Sequence, residues 1–209
     1  MSLTLYWAPG SCALASHLLL ERVGATYEAV RVDLGKGQQR TPEYLKLNPK
    51  GRVPALVTEH GILTETPAIL QYVCQRFPAA GMAPLDDPWA LAQFNSFNSY
   101  LCSTVHVAHA HRLRGSRWAD DPAALEAMKK KVPQAVGDAF ALIEQGMLAG
   151  PWVLGEAKSA CDFYLFTMSS WMEGDGVDPK GFPRILGHRE RMAADPVVAK
   201  VVAIESGKA

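Results

Sequence analysis

The sequence carries no excess charge of either sign: 21 Lys and Arg balance 21 Asp and Glu among 209 residues. With no long block of one charge, nothing offers a phosphate backbone an electrostatic footprint, and nucleic acid is not an expected partner. No stretch approaches the ~20 uninterrupted apolar residues of a membrane span. The first residues also lack the basic, apolar and small-residue order of a secretory leader, so the cytoplasm is the expected location. There is no C-x-x-C pair either, since Cys12, Cys74, Cys102 and Cys161 lie far apart. Free thiols in a reducing compartment fit this spacing better than a disulfide scaffold does. Cys12 is followed by Ala13, Leu14 and Ala15, which leaves it no nearby resolving thiol for an intramolecular redox cycle.

What is present reads as two units. Residues 3–7 are apolar and β-prone and run into the turn Ala8-Pro9-Gly10-Ser11, after which an Ala- and Leu-rich helix begins at or beside Cys12 and stops at Gly24. Residues 27–32 suit a second strand, and Thr41-Pro42 opens a short helix that Asn48-Pro49 ends. Residues 53–58 and 62–64 pair as a hairpin around Glu59-His60-Gly61. Thr66-Pro67 repeats the cap-and-proline signal for a helix ending near Arg76. The order βαβαββα is that of a thioredoxin-like domain, with the first crossover making a parallel pair. Pro78, Gly81, Pro84 and Pro88 break the pattern and mark a linker. Beyond it only helices are legible, at about 89–117, 122–148, 162–172, 184–194 and 197–204. The expectation is an α/β domain over 1–77, a linker over 78–88 and an all-α bundle over 89–209.

Cys12 stands where a strand turns into a helix, and unpaired backbone N–H groups there favour an anion, so its thiol pKa is expected to fall. The competing reading is a cysteine packed as a small apolar group. Pro54 at the mouth of a strand suits a cis turn that would aim the Val53 amide and carbonyl outward toward an extended peptide, or else a simple turn. Glu65, Thr66 and the helix start behind them offer a carboxylate, a hydroxyl and free N–H groups to a ligand's paired ammonium and carboxylate, although capping alone also explains Thr66. All three features fall at one end of the α/β unit. Ser159-x-x-Asp162 fits a capping box and is assigned a folding role. Cys102, His106 and His109 share a helix face, but no acidic residue accompanies them at ligand spacing, and no metal is expected.

The turn Pro9-Gly10-Ser11-Cys12 and the segments Asn48 to Pro54, Leu63 to Ile69 and Ser159 to Phe166 resemble, in order along nearly the whole chain, the cysteine-containing bacterial beta class of glutathione transferases. The resemblance implies that glutathione is the cosubstrate. Cys12 would face its sulfur, Val53 beside cis-Pro54 would pair with its cysteinyl backbone, Glu65 and Thr66 would hold its γ-glutamyl end, and Lys36 with Arg52 would meet its glycyl carboxylate. It aligns His106 with a histidine of the cleft, whose imidazole could share a proton with the thiol. It also implies a homodimer in which Ser103 and Thr104 reach the neighbouring subunit's glutathione. Trp7, Ser11 and Trp171 would border an apolar electrophile. The chain departs from the family in having Val107 where a lysine is frequent and Trp7-Ala8 where a tyrosine is frequent, with Tyr6 one position earlier. The implied activity is conjugation of glutathione to an electrophile, or thiol transfer or peroxide reduction through a mixed disulfide. The rival of another class is a non-catalytic module of the same fold that binds a protein partner or apolar ligands.

Overall fold

The computed structural model describes residues 3–207. Its sheet has the order β2-β1-β3-β4, formed by β1 (Leu3–Trp7), β2 (Tyr27–Arg31), β3 (Ala55–Thr58) and β4 (Gly61–Thr64). β1 runs parallel to β2 in the register Leu5 to Ala29, and antiparallel to β3 in the register Leu5 to Leu56. β3 and β4 form the expected hairpin, but Gly61 pairs with Thr58, so Glu59 and His60 alone connect them. Helices α1 (Ala13–Arg22), α2 (Pro42–Leu47) and α3 (Thr66–Arg76) complete the βαβαββα order.

After a short turn of 3-10 helix at Pro78–Ala80 the described residues hold helices: α4 (Pro88–Tyr100), α5 (His106–Arg114), α6 (Pro122–Leu142), α7 (Ala160–Ser169), α8 (Pro183–Ala193) and α9 (Pro196–Glu205). Local chemistry starts four of the helices alike. Thr41, Asp87, Asp121 and Asp195 each accept from a backbone N–H of the first turn, with Pro following at once. The side chain satisfies a donor the helix cannot use, and proline needs none there. The α3 start differs from expectation: Thr66 is already helical and buried, and Glu65 flanks it at φ 71°, a left-handed conformation that non-glycine residues rarely adopt. The expected helix over 89–117 is also not uniform, because one π-helical turn, Leu101–Val105, separates α4 from α5. Such a turn rotates the face that follows it, and these insertions are frequent at functional sites.

A single apolar core runs through both parts of the chain. Alternation sends Leu3, Leu5 and Trp7 of β1 to one buried face, where α1 lies. α1 in turn packs on α7, whose Phe163, Tyr164, Leu165 and Met168 are buried. Asp162, fully buried, anchors α7. Its carboxylate accepts from the Ser159 N–H at 2.7 Å and hydroxyl at 3.0 Å, the Val153 N–H at 2.9 Å and His188 Nε2 at 3.0 Å.

Candidate active site

The turn after β1 delivers Cys12 to the first residue before α1. Ser11 performs the cap: its hydroxyl accepts from the Ala13 N–H at 3.2 Å and donates to the Ala8 carbonyl at 2.7 Å. The Cys12 thiol is left to face the segment before β3, where it donates to the Val53 carbonyl at 3.7 Å, and the Val53–Pro54 bond is cis. Two further bonds brace that segment, since the Tyr44 hydroxyl (2.8 Å) and Asn48 Nδ2 (2.7 Å) both donate to the Arg52 carbonyl.

Burial decides the charge of this thiol. Loss of solvent pushes Cys12 above the ordinary cysteine value, and the Thr66 hydroxyl and the Arg114 guanidinium only partly offset it. The helix start therefore does not lower the thiol as expected from the sequence; Cys12 is a neutral hydrogen-bond donor to the Val53 carbonyl. His106 is shifted in the opposite sense. Burial, assisted by the positive charge of Arg114, pushes its imidazole down to about 3, so it is neutral at physiological pH.

These groups line one cleft of ≈ 930 Å³ between the sheet's end and α5. Ser11, Cys12, Arg52, Val53, Pro54, Glu65, Thr66, His106 and Trp171 all border it. Glu65 is held by Lys50, whose ammonium donates to its carboxylate and to the Thr64 hydroxyl, both at 2.6 Å. Trp171 stacks on His109 with ring centroids 4.2 Å apart and meets His106 edge-on at 5.1 Å. Behind them the Asp175 carboxylate fixes His109 Nδ1 at 2.7 Å and lies 3.4 Å from Arg112. Gly174 permits this approach, because a Cβ there would lie 2.7 Å from the Arg112 guanidinium and 3.3 Å from the Trp171 carbonyl.

Four expected positions do not reach the cleft wall. Trp7 is a correction: it is 5 % exposed and its ring lies 5.5 Å from that of His17, because strand alternation places it with Leu3 and Leu5 in the core. Lys36 has its side chain 86 % exposed and its ammonium 3.8 Å from Asp33. Ser103 and Thr104 sit exposed on the π turn, where the Ser103 hydroxyl donates back to the Ser99 carbonyl at 2.8 Å. Tyr6, on the face opposite Trp7, packs edge-on against Tyr44 at 5.9 Å. Cys102, His106 and His109 do not converge: the Cys102 thiol donates to the Ser99 carbonyl at 3.3 Å, and His109 turns to Asp175. Among the described residues no three His, Cys, Asp or Glu side chains are placed to hold a metal ion.

Sequence reasoning missed Lys50, Arg114 and Tyr164 as cleft residues. Lys50 lies inside the quoted Asn48 to Pro54 segment, and Arg114 lies two helical turns beyond His106. Those spacings were the available signals. A second groove of ≈ 780 Å³, lined by Trp89, Phe97, Met147 and Leu154 among others, has no cysteine or histidine in its wall.

Residues 1–75 match the family model described as Glutathione S-transferase, N-terminal domain. A glutathione S-transferase, GST-4.5, of Xanthomonas campestris pv. campestris is 26% identical over 201 residues, which cover 96% of this chain and 98% of that protein. A crystal structure of a glutathione transferase homolog from Sulfitobacter with bound glutathione superposes with a TM-score of 0.94 at 44% identity, covering 100% of this chain and 99% of that one. The bacterial beta class glutathione S-transferase of Sphingomonas chungbukensis superposes with a TM-score of 0.85 at 31% identity, covering 99% and 100%.

Proposed function

The chain belongs to the glutathione S-transferase family, and we propose that it binds glutathione along the sheet's end and presents the tripeptide's sulfur, beside Cys12, to an electrophile in the cleft. The observation that carries this reading is the convergence of the Cys12 thiol, the Val53 backbone before cis-Pro54 and the Glu65-Thr66 helix start on one cleft. An extended peptide needs backbone partners along its length and a charged receptor at its amino-acid end, and these three supply them. Glu65 receives the γ-glutamyl ammonium and the α3 N–H groups its carboxylate. The glycyl carboxylate meets Arg52, and Lys36 from the exposed loop can swing to it.

A neutral Cys12 thiol suits a donor role. It donates to the glutathione sulfur as that becomes a thiolate, while the Arg114 charge stabilises the anion, the released proton goes to solvent and His106 stays neutral in the cleft wall. The thiolate then attacks an electrophilic carbon held against Trp171 and His106. Thiol transfer uses the same geometry: Cys12, once deprotonated, attacks the glutathionyl sulfur of a substrate–glutathione disulfide and the substrate thiol leaves, and a second glutathione thiolate then attacks the glutathionyl sulfur of the Cys12 mixed disulfide, releasing glutathione disulfide and free Cys12. The four free cysteines suit the reducing cytoplasm. In a homodimer the exposed Ser103 and Thr104 are available to the neighbouring subunit.

Calorimetric titration with glutathione, together with a conjugation assay and a disulfide-exchange assay, tests this reading. Cys12→Ala lowers thiol transfer by about 100-fold while changing glutathione affinity by less than about fivefold. Equal transfer rates in variant and parent refute the role of Cys12. Glutathione binding without turnover of any electrophile or disulfide supports instead a non-catalytic binding module.

A further inference from the structure

The charges on the cleft wall are unbalanced. Arg40, Lys50, Arg52, Arg112, Arg114 and Arg117 face it, against the single carboxylate of Glu65. Lys50 is neutralised by Glu65 at 2.6 Å and Arg112 by Asp175 at 3.4 Å. Among the described residues the other four make no ion pair with a carboxylate. Bound glutathione brings a glycyl carboxylate, which would answer Arg52, and a thiolate, whose charge is lost when it becomes a thioether, so the bound conjugate leaves Arg114 and Arg117 without an anion. Arginines at the end of a helix commonly complement its dipole from the solvent side. Arg114 departs from that pattern, because it is half-buried against the cleft. Burial and the neighbouring Arg52 together push the Arg114 guanidinium down from its ordinary value, and partial burial with Arg52 acts in the same direction on Arg117, whose side chain stays exposed at the rim of the cleft. Like charges held together with reduced solvent are relieved by an anion that enters with the ligand.

Resting on the transferase reading above, we infer that the electrophile this cleft accepts is itself an anion, its carboxylate gripped by Arg114 at the end of α5 and Arg117 in the turn after it, while its reacting carbon lies against His106 and Trp171. This revises the apolar cosubstrate expected from the sequence. Trp171 and the His109 ring stacked on it supply the flat apolar wall for the carbon skeleton, and the two guanidinium groups supply charge recognition at its far end.

The test compares two conjugates that differ only in charge. When the glutathione sulfur bonds to the chlorine-bearing carbon of 4-chloro-3,5-dinitrobenzoate, chloride leaves with the bonding pair and the thiol proton goes to solvent. The corresponding benzamide gives the neutral analogue. Calorimetry of both purified conjugates, and of glutathione, reads affinity without relying on turnover. The carboxylate conjugate binds about tenfold tighter than the carboxamide, a preference that shrinks as salt rises from low to high ionic strength. In the Arg114→Gln/Arg117→Gln double variant the ratio falls toward one, and the Lys pair, which keeps both charges, retains most of it. If glutathione binds but the carboxylate conjugate binds no tighter than the carboxamide, the anionic cosubstrate is refuted and the transferase reading stands. A preference that persists in the double Gln variant refutes the assignment to these two arginines. If neither glutathione nor either conjugate binds, the transferase reading itself falls and takes this inference with it.

Discussion

Replacing Asp162 by Ala removes one acceptor that four donors share inside the protein. Asp162 and His188 are 0 % exposed, Val153 is 2 % exposed and Ser159 is 4 % exposed, so water cannot readily take the carboxylate's place. Each buried donor left without a partner costs about 1–3 kcal/mol, and loss of the α7 start adds about 1 kcal/mol. Relaxation and partial hydration offset some of this, so the expected loss is about 3–5 kcal/mol. For a chain of this size that lowers Tm by roughly 10 °C. Thermal unfolding followed by circular dichroism measures it, and glutathione affinity at low temperature, where the variant remains folded, measures the site separately. Asp162→Asn keeps the volume and one oxygen acceptor and therefore loses less than Asp162→Ala. A Tm within about 2 °C of the parent, or lost glutathione binding at unchanged Tm, refutes the reasoning that Asp162 holds α7 rather than the chemistry.

In the free protein, thiolate absorbance from Cys12 emerges only above the ordinary cysteine range, because burial raises its value. At pH 7 iodoacetamide alkylates it several-fold more slowly than free cysteine; faster alkylation than free cysteine would contradict the neutral-donor role. His106 contributes to acid sensitivity. It stays neutral in the folded protein down to about 3 but takes a proton near ~6.5 once unfolded, so the unfolded chain binds more protons between those values. Its contribution is absent above that range and grows as pH falls, lowering stability. His106→Gln should therefore narrow the drop in Tm between about pH 7 and pH 4.5. Equal drops in variant and parent would show that the imidazole titrates normally.

The parts of the fold that were legible in the sequence are those fixed by local chemistry. The Thr-Pro start of α2 rests on a hydrogen bond within a few residues, and the alternation of β1 on the two-residue side-chain period of a strand. The convergence of Cys12, Val53 and Glu65 was likewise readable, because a βαβαββα order places strand exits and helix starts at one end of the sheet. Three things were not readable, and each depends on contacts remote in sequence. Alternation fixes which residues share a strand face but not which face lies beneath α1, so Trp7 was drawn to the cleft when it belongs to the core. The Cys12 thiol was expected to acidify because a helix start is a local signal, whereas the burial that outweighs it comes from the surrounding core. The π turn before His106 had no composition cue, and it sets the direction in which α5 presents His106 and the arginines beyond it.

A crystal structure of the protein with glutathione tests the central claim most directly. The account predicts the tripeptide extended past Val53, its cysteinyl backbone paired with that residue, its γ-glutamyl end at Glu65 and Thr66, and its sulfur within ~4 Å of Cys12 Sγ. Glutathione found in the Trp89 groove, or in the cleft with its sulfur turned away from Cys12, would contradict it.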